Sequence, residues 1–161
     1  MKKFLFTQLL RHSIVSVALA APLTLATMMS ASAAMDESQV YSYASAMKQA
    51  ANSKNIAMVD KLVSDDALIS MSRRGKTTSL NKNAYLKLLQ DSWDQTSNYH
   101  YDISVSNIVT SGNQAKADVK TVESWVKNGQ PTTLTTSSRA TLVSTDNNAV
   151  LLRAVAQVTI E

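Results

Sequence analysis

The C-terminal part of the sequence, residues 98–161, has no helical periodicity and is divided by three evenly spaced turn signals. These are Ser111-Gly112-Asn113, Lys127-Asn128-Gly129-Gln130 and Asp146-Asn147-Asn148. Asn128-Gly129 is typical of a hairpin, because a type I′ turn needs a positive φ angle at both central positions. The segments between the turns predict strands longer than the usual five or six residues. Since no helix separates them, these strands must be antiparallel, and we predict a long meander that twists and bends.

Alternation along these strands separates an inner face from an outer face. The residues predicted to point inward are Tyr99, Tyr101, Ile103, Val105, Ala115, Ala117, Val119, Leu134, Ala140, Leu142, Val150, Leu152, Ala154, Ala156, Val158 and Ile160. His100, Asp102 and Asp118 alternate with them. We therefore expect these three side chains to point to solvent.

Three helices are predicted in the first half of the chain. Apolar residues at steps of three and four mark the first, over residues 38–53. Asn55 can cap a short second helix. Asn81 can cap a third, which stops near Gln95 and carries Trp93 on its apolar side.

A small hairpin is predicted between the second and third helices. Asp65-Asp66 is interpreted as the turn that ends the second helix, and residues 67–72 favour a strand. Arg73-Arg74-Gly75-Lys76 then turns the chain back. We interpret this basic cluster as a solvated turn in preference to a binding site.

The N-terminus has the organisation of a cleavable secretory signal. Lys2 and Lys3 precede an uncharged stretch over residues 14–29, and Ala31 and Ala33 form the small-residue pattern that a signal peptidase recognises. The stretch is interrupted by Pro22 and is shorter than the roughly 20 residues that span a bilayer. We therefore predict a signal peptide over residues 1–33, a periplasmic location, and one domain over residues 34–161 with no membrane span after cleavage.

Charge and cysteine content restrict the possible partners. The formal net charge of +4 falls to +1 when Lys2, Lys3 and Arg11 leave with the signal. Nucleic-acid binding needs a larger basic surface than this, so we expect no nucleic-acid partner. The chain has no cysteine, which excludes disulfides, a thiol nucleophile and cysteine-bound metal.

No catalytic group of residues stands out in the sequence. His100 is the only histidine after the predicted signal and supplies neither a triad nor a metal site. Asp91 and Asp94 have no evident third ligand. We expect no metal, no cofactor and no assigned catalytic residue. Glu123 shares the inner phase of Trp125, although the opposite phase of the neighbouring valines leaves open a bulge that would turn it outward.

The order of elements resembles the nuclear-transport-factor-2-like superfamily. The likeness is carried by the run Leu62-Val63-Ser64-Asp65-Asp66-Ala67-Leu68-Ile69, by Gly75, and by Leu80-Asn81-Lys82-Asn83-Ala84-Tyr85-Leu86. It implies a cone-shaped α+β fold, with three helices from the N-terminal half packed on a long, curved antiparallel sheet and a pocket between them. Its members include ketosteroid isomerases, polyketide cyclases, dehydratases and proteins without activity, so the fold alone does not define a chemistry.

Four residues are the candidate ligand-binding group: Trp93, Tyr101, Glu123 and Trp125. The aromatic side chains either surround a cavity or fill it. An open cavity with this wall suits an apolar ligand with a polar tip. We therefore predict a non-catalytic domain that binds a small apolar molecule or a partner protein, and the alternative is an isomerase, cyclase or dehydratase that uses Glu123.

The outer face of the sheet is expected to be only weakly charged. Aliphatic residues fall out of phase with the inner set at four positions, Val122, Val126, Leu151 and Val155. A neutral face with scattered aliphatic side chains suits an interface. The sequence therefore predicts a two-fold homodimer packed sheet to sheet.

Overall fold

The computed structural model describes residues 34–146 and 148–160, and the predicted signal peptide lies outside these ranges. Within them the chain forms three helices and six strands. The elements are α1 (Glu37–Asn52), α2 (Ile56–Lys61), β1 (Val63–Arg73), β2 (Lys76–Asn81), α3 (Lys82–Asp94), β3 (Ser97–Ser111), β4 (Gln114–Lys127), β5 (Gln130–Thr145) and β6 (Asn148–Ile160). No helix in the described part is long and apolar enough to cross a membrane.

The strands form one sheet in the order β2-β1-β6-β5-β4-β3. Strands β3 to β6 form the predicted antiparallel meander, and β1 and β2 form the predicted hairpin. The pair that joins these two parts, β1 with β6, is parallel, which the sequence did not predict. A parallel pair needs a long connection, and α3 with the first three strands of the meander supplies one.

Asparagine and aspartate side chains define where the helices begin. Asn55 accepts a hydrogen bond from the backbone N–H of Met58 and Asn81 from that of Ala84, as the sequence predicted. At α1 the cap is Asp36, which exchanges hydrogen bonds with Gln39 in a capping box. The first helix therefore starts one residue earlier than predicted.

The prediction for Asp65-Asp66 is wrong. Helix α2 ends at Lys61, and both aspartates lie within β1, where the pairing with β6 shifts register between Val63 and Leu68. The irregular pairing leaves both side chains exposed. Where the pairing is irregular, a strand does not need an apolar residue at every second position. Two consecutive aspartates can therefore belong to the strand and do not form a turn after the helix.

The inner face of β6 also changes phase. Leu142 pairs with Leu151 and Thr141 with Arg153, so Leu152 is the extra residue of a bulge. Leu151 is only 6% exposed and belongs to the core. Its predicted place on the outer face is therefore wrong, as is the inward position predicted for Leu152, which is half-buried. Beyond the bulge, Ala154, Ala156 and Val158 are buried as predicted.

Candidate functional site

A cavity of about 640 Å³ lies between the helices and the inner face of the sheet. Its wall is built by α1, α3 and inward side chains of all six strands. The aliphatic part includes Met47, Ile69, Leu89, Leu134 and Val158. This volume lies in the range of about 300–1,000 Å³ that is usual for small-molecule sites.

The structure brings all four candidate residues to this cavity. Trp93 from α3 and Tyr101 from β3 are buried, whereas Glu123 and Trp125 from β4 are half-buried. Strand β4 pairs with β5 without a register shift, so no bulge turns Glu123 outward. Trp125 forms part of the cavity wall and does not belong to the fully buried core.

Sequence reasoning missed the partner of Glu123. The Tyr99 hydroxyl donates a hydrogen bond to Glu123 Oε2 over 2.7 Å. Alternation along β3 placed Tyr99 on the inner face, but it gave no register between β3 and β4. Only that register, in which Tyr101 is opposite Glu123, brings Tyr99 within reach of the carboxylate.

Burial changes the proton affinity of this pair. It raises the pKa of Glu123, and the hydrogen bond from Tyr99 opposes this shift by stabilising the carboxylate. Burial also raises the pKa of Tyr99, with a further contribution from the nearby Glu123 charge. Tyr99 therefore stays a neutral hydrogen-bond donor, while Glu123 binds its proton more tightly than an exposed glutamate does.

An unused donor lies beside the Tyr99–Glu123 pair. The Trp93 ring packs edge-on against Tyr99, with centroids 6.0 Å apart. The buried indole Nε1 is near the Tyr99 hydroxyl but has no hydrogen-bond partner of acceptable geometry among the described residues. Buried donors are normally paired, so this N–H is an exception, and it packs behind the cavity wall against Tyr99.

Two side chains position the aromatic residues of the wall. Lys54 donates hydrogen bonds to the carbonyl oxygens of Trp93 and Thr96 and lies 5.8 Å from the centroid of the Tyr99 ring. Asn52 donates to the carbonyl oxygen of Tyr101 and accepts from its N–H, each over 2.8 Å. The end of α1 and the following turn therefore hold β3 and the end of α3 in place.

The other charged residues considered from the sequence lie outside the cavity. His100 is exposed, Asp102 pairs with Lys48, Asp118 pairs with Arg139, and Asp91 pairs with Lys87. Asp94 is exposed at the end of α3. The described residues contain no group of three or more side chains placed to hold a metal ion.

The basic turn Arg73-Arg74-Gly75-Lys76 was interpreted from the sequence only as a solvated turn. The hairpin forms as predicted, but two of its cations, Arg73 and Lys76, line the cavity. The alternation of β1 contained this signal, because Arg73 is in phase with the inward residues Ile69 and Met71.

Replacing Tyr99 with phenylalanine is expected to destabilise the protein more at pH 8 than at pH 4. Burial raises the pKa of Glu123 in the folded protein above its value in the unfolded chain. Protonated Glu123 therefore stabilises the folded state at pH values below the unfolded-chain pKa, and this stabilisation is lost as the pH rises through the pKa of the folded protein. Tyr99 limits that loss by binding the carboxylate. We expect Tyr99→Phe to cost about 1.5–3 kcal/mol at pH 8 and about 0.5–1.5 kcal/mol at pH 4, measured by urea unfolding.

The same substitution in a Glu123→Gln background is the control. Without an ionisable group at position 123, the cost of Tyr99→Phe should be equal at the two pH values. A pH dependence that persists in the double variant would show that another group causes it.

Comparison with known proteins shows the fold. No family model matches the sequence, and no curated protein matches it either. A conserved protein from Planctomyces limnophilus superimposes with a TM-score of 0.67 at 15% identity, over 78% of this chain and 98% of that chain. A ketosteroid isomerase-like protein from Erwinia carotovora atroseptica gives a TM-score of 0.59 at 15% identity, over 76% and 97% of the two chains.

A third solved structure carries the family name. It is a nuclear-transport-factor-2-like protein of unknown function from Silicibacter pomeroyi, with a TM-score of 0.58 at 11% identity, over 76% of this chain and 94% of that chain. Identities this low show similarity of fold alone. The described residues of this chain therefore have the α+β fold of the nuclear-transport-factor-2-like superfamily.

Proposed function

We propose that the protein is a non-catalytic binding domain that holds a small, largely apolar molecule in its cavity. The observation that carries this proposal is the open cavity of about 640 Å³ between the helices and the sheet. Apolar side chains form most of its wall, and a ligand that covers them removes their surface from water at about 25 cal/mol per Å².

The polar groups of the wall define one end of the ligand. Tyr99 and Glu123 form a hydrogen-bonded pair at the cavity wall, beside the buried Trp93. A neutral oxygen of the ligand, such as a carbonyl or hydroxyl, can form a hydrogen bond with this pair. An apolar body with one polar tip therefore matches the wall.

Intrinsic fluorescence tests the proposal directly, because the only two tryptophans of the chain, Trp93 and Trp125, both line the cavity. We expect dodecanol to change their emission and to bind saturably. Thr136→Phe, which adds a ring to the cavity wall, should weaken binding about tenfold, or about 1.4 kcal/mol. Thr135→Phe is the matched control, since the adjacent residue points to the other face of β5. Equal effects of the two substitutions would contradict binding in the cavity.

A second candidate function is proton transfer by Glu123 in an isomerase, cyclase or dehydratase. The observation that favours it is a half-buried carboxyl group with a raised pKa at the cavity wall, an arrangement that suits a general acid or base. Turnover of a model enone that is abolished by Glu123→Gln would establish this function. A binding domain should show no turnover and should still bind dodecanol after the same substitution.

We also propose that the protein is exported to the periplasm by cleavage after residue 33, or one residue later in the second small-residue frame of Ser32 and Ala34. The support is the charged start, short apolar stretch and small-residue exit of the first 33 residues. N-terminal sequencing of the periplasmic fraction should find Ala34 or Met35 as the first residue. Recovery of Met1 from the membrane fraction would contradict export.

Association through the outer face of the sheet is a further proposal. Val155 is 68% exposed there, and Val122 and Val126 on β4 are half-buried. Sedimentation at micromolar concentration is expected to give the mass of a dimer, and Val155→Glu should give a monomer. Tyr41→Glu, on the exposed side of α1, is the control. A monomeric unmodified protein would contradict this proposal.

A further inference from the structure

The cavity wall carries two cations, Arg73 and Lys76, that no acidic side chain of the described residues neutralises. Arg73 is the last residue of β1 and Lys76 the first of β2, and they are direct cross-strand partners. Both side chains line the cavity and both residues are exposed, which places them where the cavity opens to solvent. Neither forms an ion pair within the described part of the chain.

Strand geometry fixes this arrangement. Arg73 follows the inward residues Ile69 and Met71 at steps of two, and Lys76 precedes Thr78 and Leu80 in the same way. Two like charges directly opposite each other in a sheet reduce its stability. An anion bound between the two side chains would remove this repulsion.

The cavity wall carries an acidic residue on a strand away from the two cations. Glu123 lies on β4, three strands away from Arg73 in the order β1-β6-β5-β4, which is about 14 Å along the sheet at about 4.8 Å per strand. Apart from tyrosines, the ionisable residues that line the cavity in the described part of the chain are Arg73, Lys76 and Glu123. A ligand anion is therefore attracted to the opening and repelled from the Glu123 end.

We propose that the ligand is a single-chain amphiphile with an anionic headgroup, held by Arg73 and Lys76 while its apolar chain occupies the cavity. This inference rests on the proposed binding function and adds the charge of the ligand. It also reverses the orientation given above, because the polar headgroup lies at Arg73 and Lys76 and the apolar chain lies near the Tyr99–Glu123 pair. A guanidinium group binds a carboxylate or phosphate through two parallel hydrogen bonds, and the lysine adds a point charge. The apolar chain then extends along the sheet toward Trp93 and Trp125.

Four probes of equal chain length test the headgroup: dodecanoate, dodecyl phosphate, dodecanol and dodecylamine. Binding is followed by tryptophan fluorescence at pH 8. A charge-assisted hydrogen bond is stronger than a neutral one, so we expect the better of the two anions to bind at least about tenfold more tightly than dodecanol, which corresponds to about 1.4 kcal/mol. Dodecylamine should bind most weakly. The comparison of dodecanoate with dodecyl phosphate identifies the preferred anion.

The double variant Arg73→Gln, Lys76→Gln should lose the preference for anions, so that it binds the better anion no more tightly than it binds dodecanol. Arg74→Gln is the matched control, because Arg74 belongs to the same turn but does not line the cavity. It has a positive φ of 50°, and exchanging one long unbranched side chain for another leaves the backbone strain there unchanged. The preference of Arg74→Gln should equal that of the unmodified protein.

Three results would overturn the inference. If the unmodified protein binds dodecanol as tightly as both anions, or if the double variant keeps the preference, the headgroup assignment is wrong while the proposed binding function stands. If none of the four probes binds, both are wrong. The first comparison uses only the unmodified protein, so it decides the matter even if the double variant fails to fold.

Discussion

Replacing Trp93 with alanine is expected to lower the free energy of unfolding by about 3–5 kcal/mol. The side chain is 3% exposed, and its ring packs edge-on against Tyr99. It connects α3 to β3 at the cavity wall, so its loss would enlarge the cavity and remove the contact between these two elements. Urea unfolding followed by circular dichroism measures the change without relying on tryptophan emission.

Two variants show whether this loss comes from the buried ring. Trp93→Phe removes the unpaired Nε1 and keeps an aromatic ring, so it should cost clearly less than the alanine substitution. Trp125→Ala should also cost less, because Trp125 is half-buried at the cavity wall. A loss below about 1 kcal/mol for Trp93→Ala would contradict the tight packing of α3 on β3.

Asn52→Ala is expected to lower the free energy of unfolding by about 2–4 kcal/mol. The amide of Asn52 pairs with both the N–H and the carbonyl oxygen of Tyr101, and a buried backbone group left without a partner costs about 1–3 kcal/mol. Strand β3 lies at an edge of the sheet. Asn52 therefore supplies the hydrogen bonds that a neighbouring strand would supply, and urea unfolding measures their contribution.

Asn52→Asp separates the two hydrogen bonds. Aspartate keeps an acceptor for the Tyr101 N–H but has no donor for the carbonyl oxygen. Its cost should lie between zero and that of Asn52→Ala. If the two substitutions have the same effect, the bond to the carbonyl oxygen carries nearly all of the stabilisation.

Local signals explain why much of the fold was predictable. Asn55 and Asn81 cap their helices through residues three positions away, and Asn128-Gly129 forms its turn within four residues. The alternation of β3 follows from the strand period alone. These features depend on neighbours in sequence, so a single sequence contains the information.

Pairing between distant segments explains what was missed. The bulge at Leu152 depends on how β6 aligns with β5, and the exposed position of Asp65-Asp66 depends on how β1 aligns with β6. Neither alignment leaves a local pattern. The sequence therefore placed Leu151 on the wrong face and ended the second helix too late.

In the candidate site, too, local strand alternation could be predicted from the sequence, whereas the register between strands could not. Simple alternation put Glu123 on the inner face with Trp125, while a bulge that would turn it outward was left open. In the structure both residues line the cavity, together with Tyr101. The hydrogen bond between Tyr99 and Glu123 needs the register of β3 against β4. The position of Arg73 at the cavity could have been read from its phase with Met71, but the glycine turn beside it favoured a solvated loop.

The parallel pairing of β1 with β6 has a consequence for the order of folding. Arg153 on β6 donates to the carbonyl oxygen of Asp66 on β1, 87 residues earlier in the chain. Contacts between such distant segments form slowly, because a long loop must close first. During synthesis β1 has only β2 as a neighbour until the last strand is made. Its other edge stays open for that time, and the exposed charges of Asp65 and Asp66 on this strand oppose its pairing with the edge of another chain.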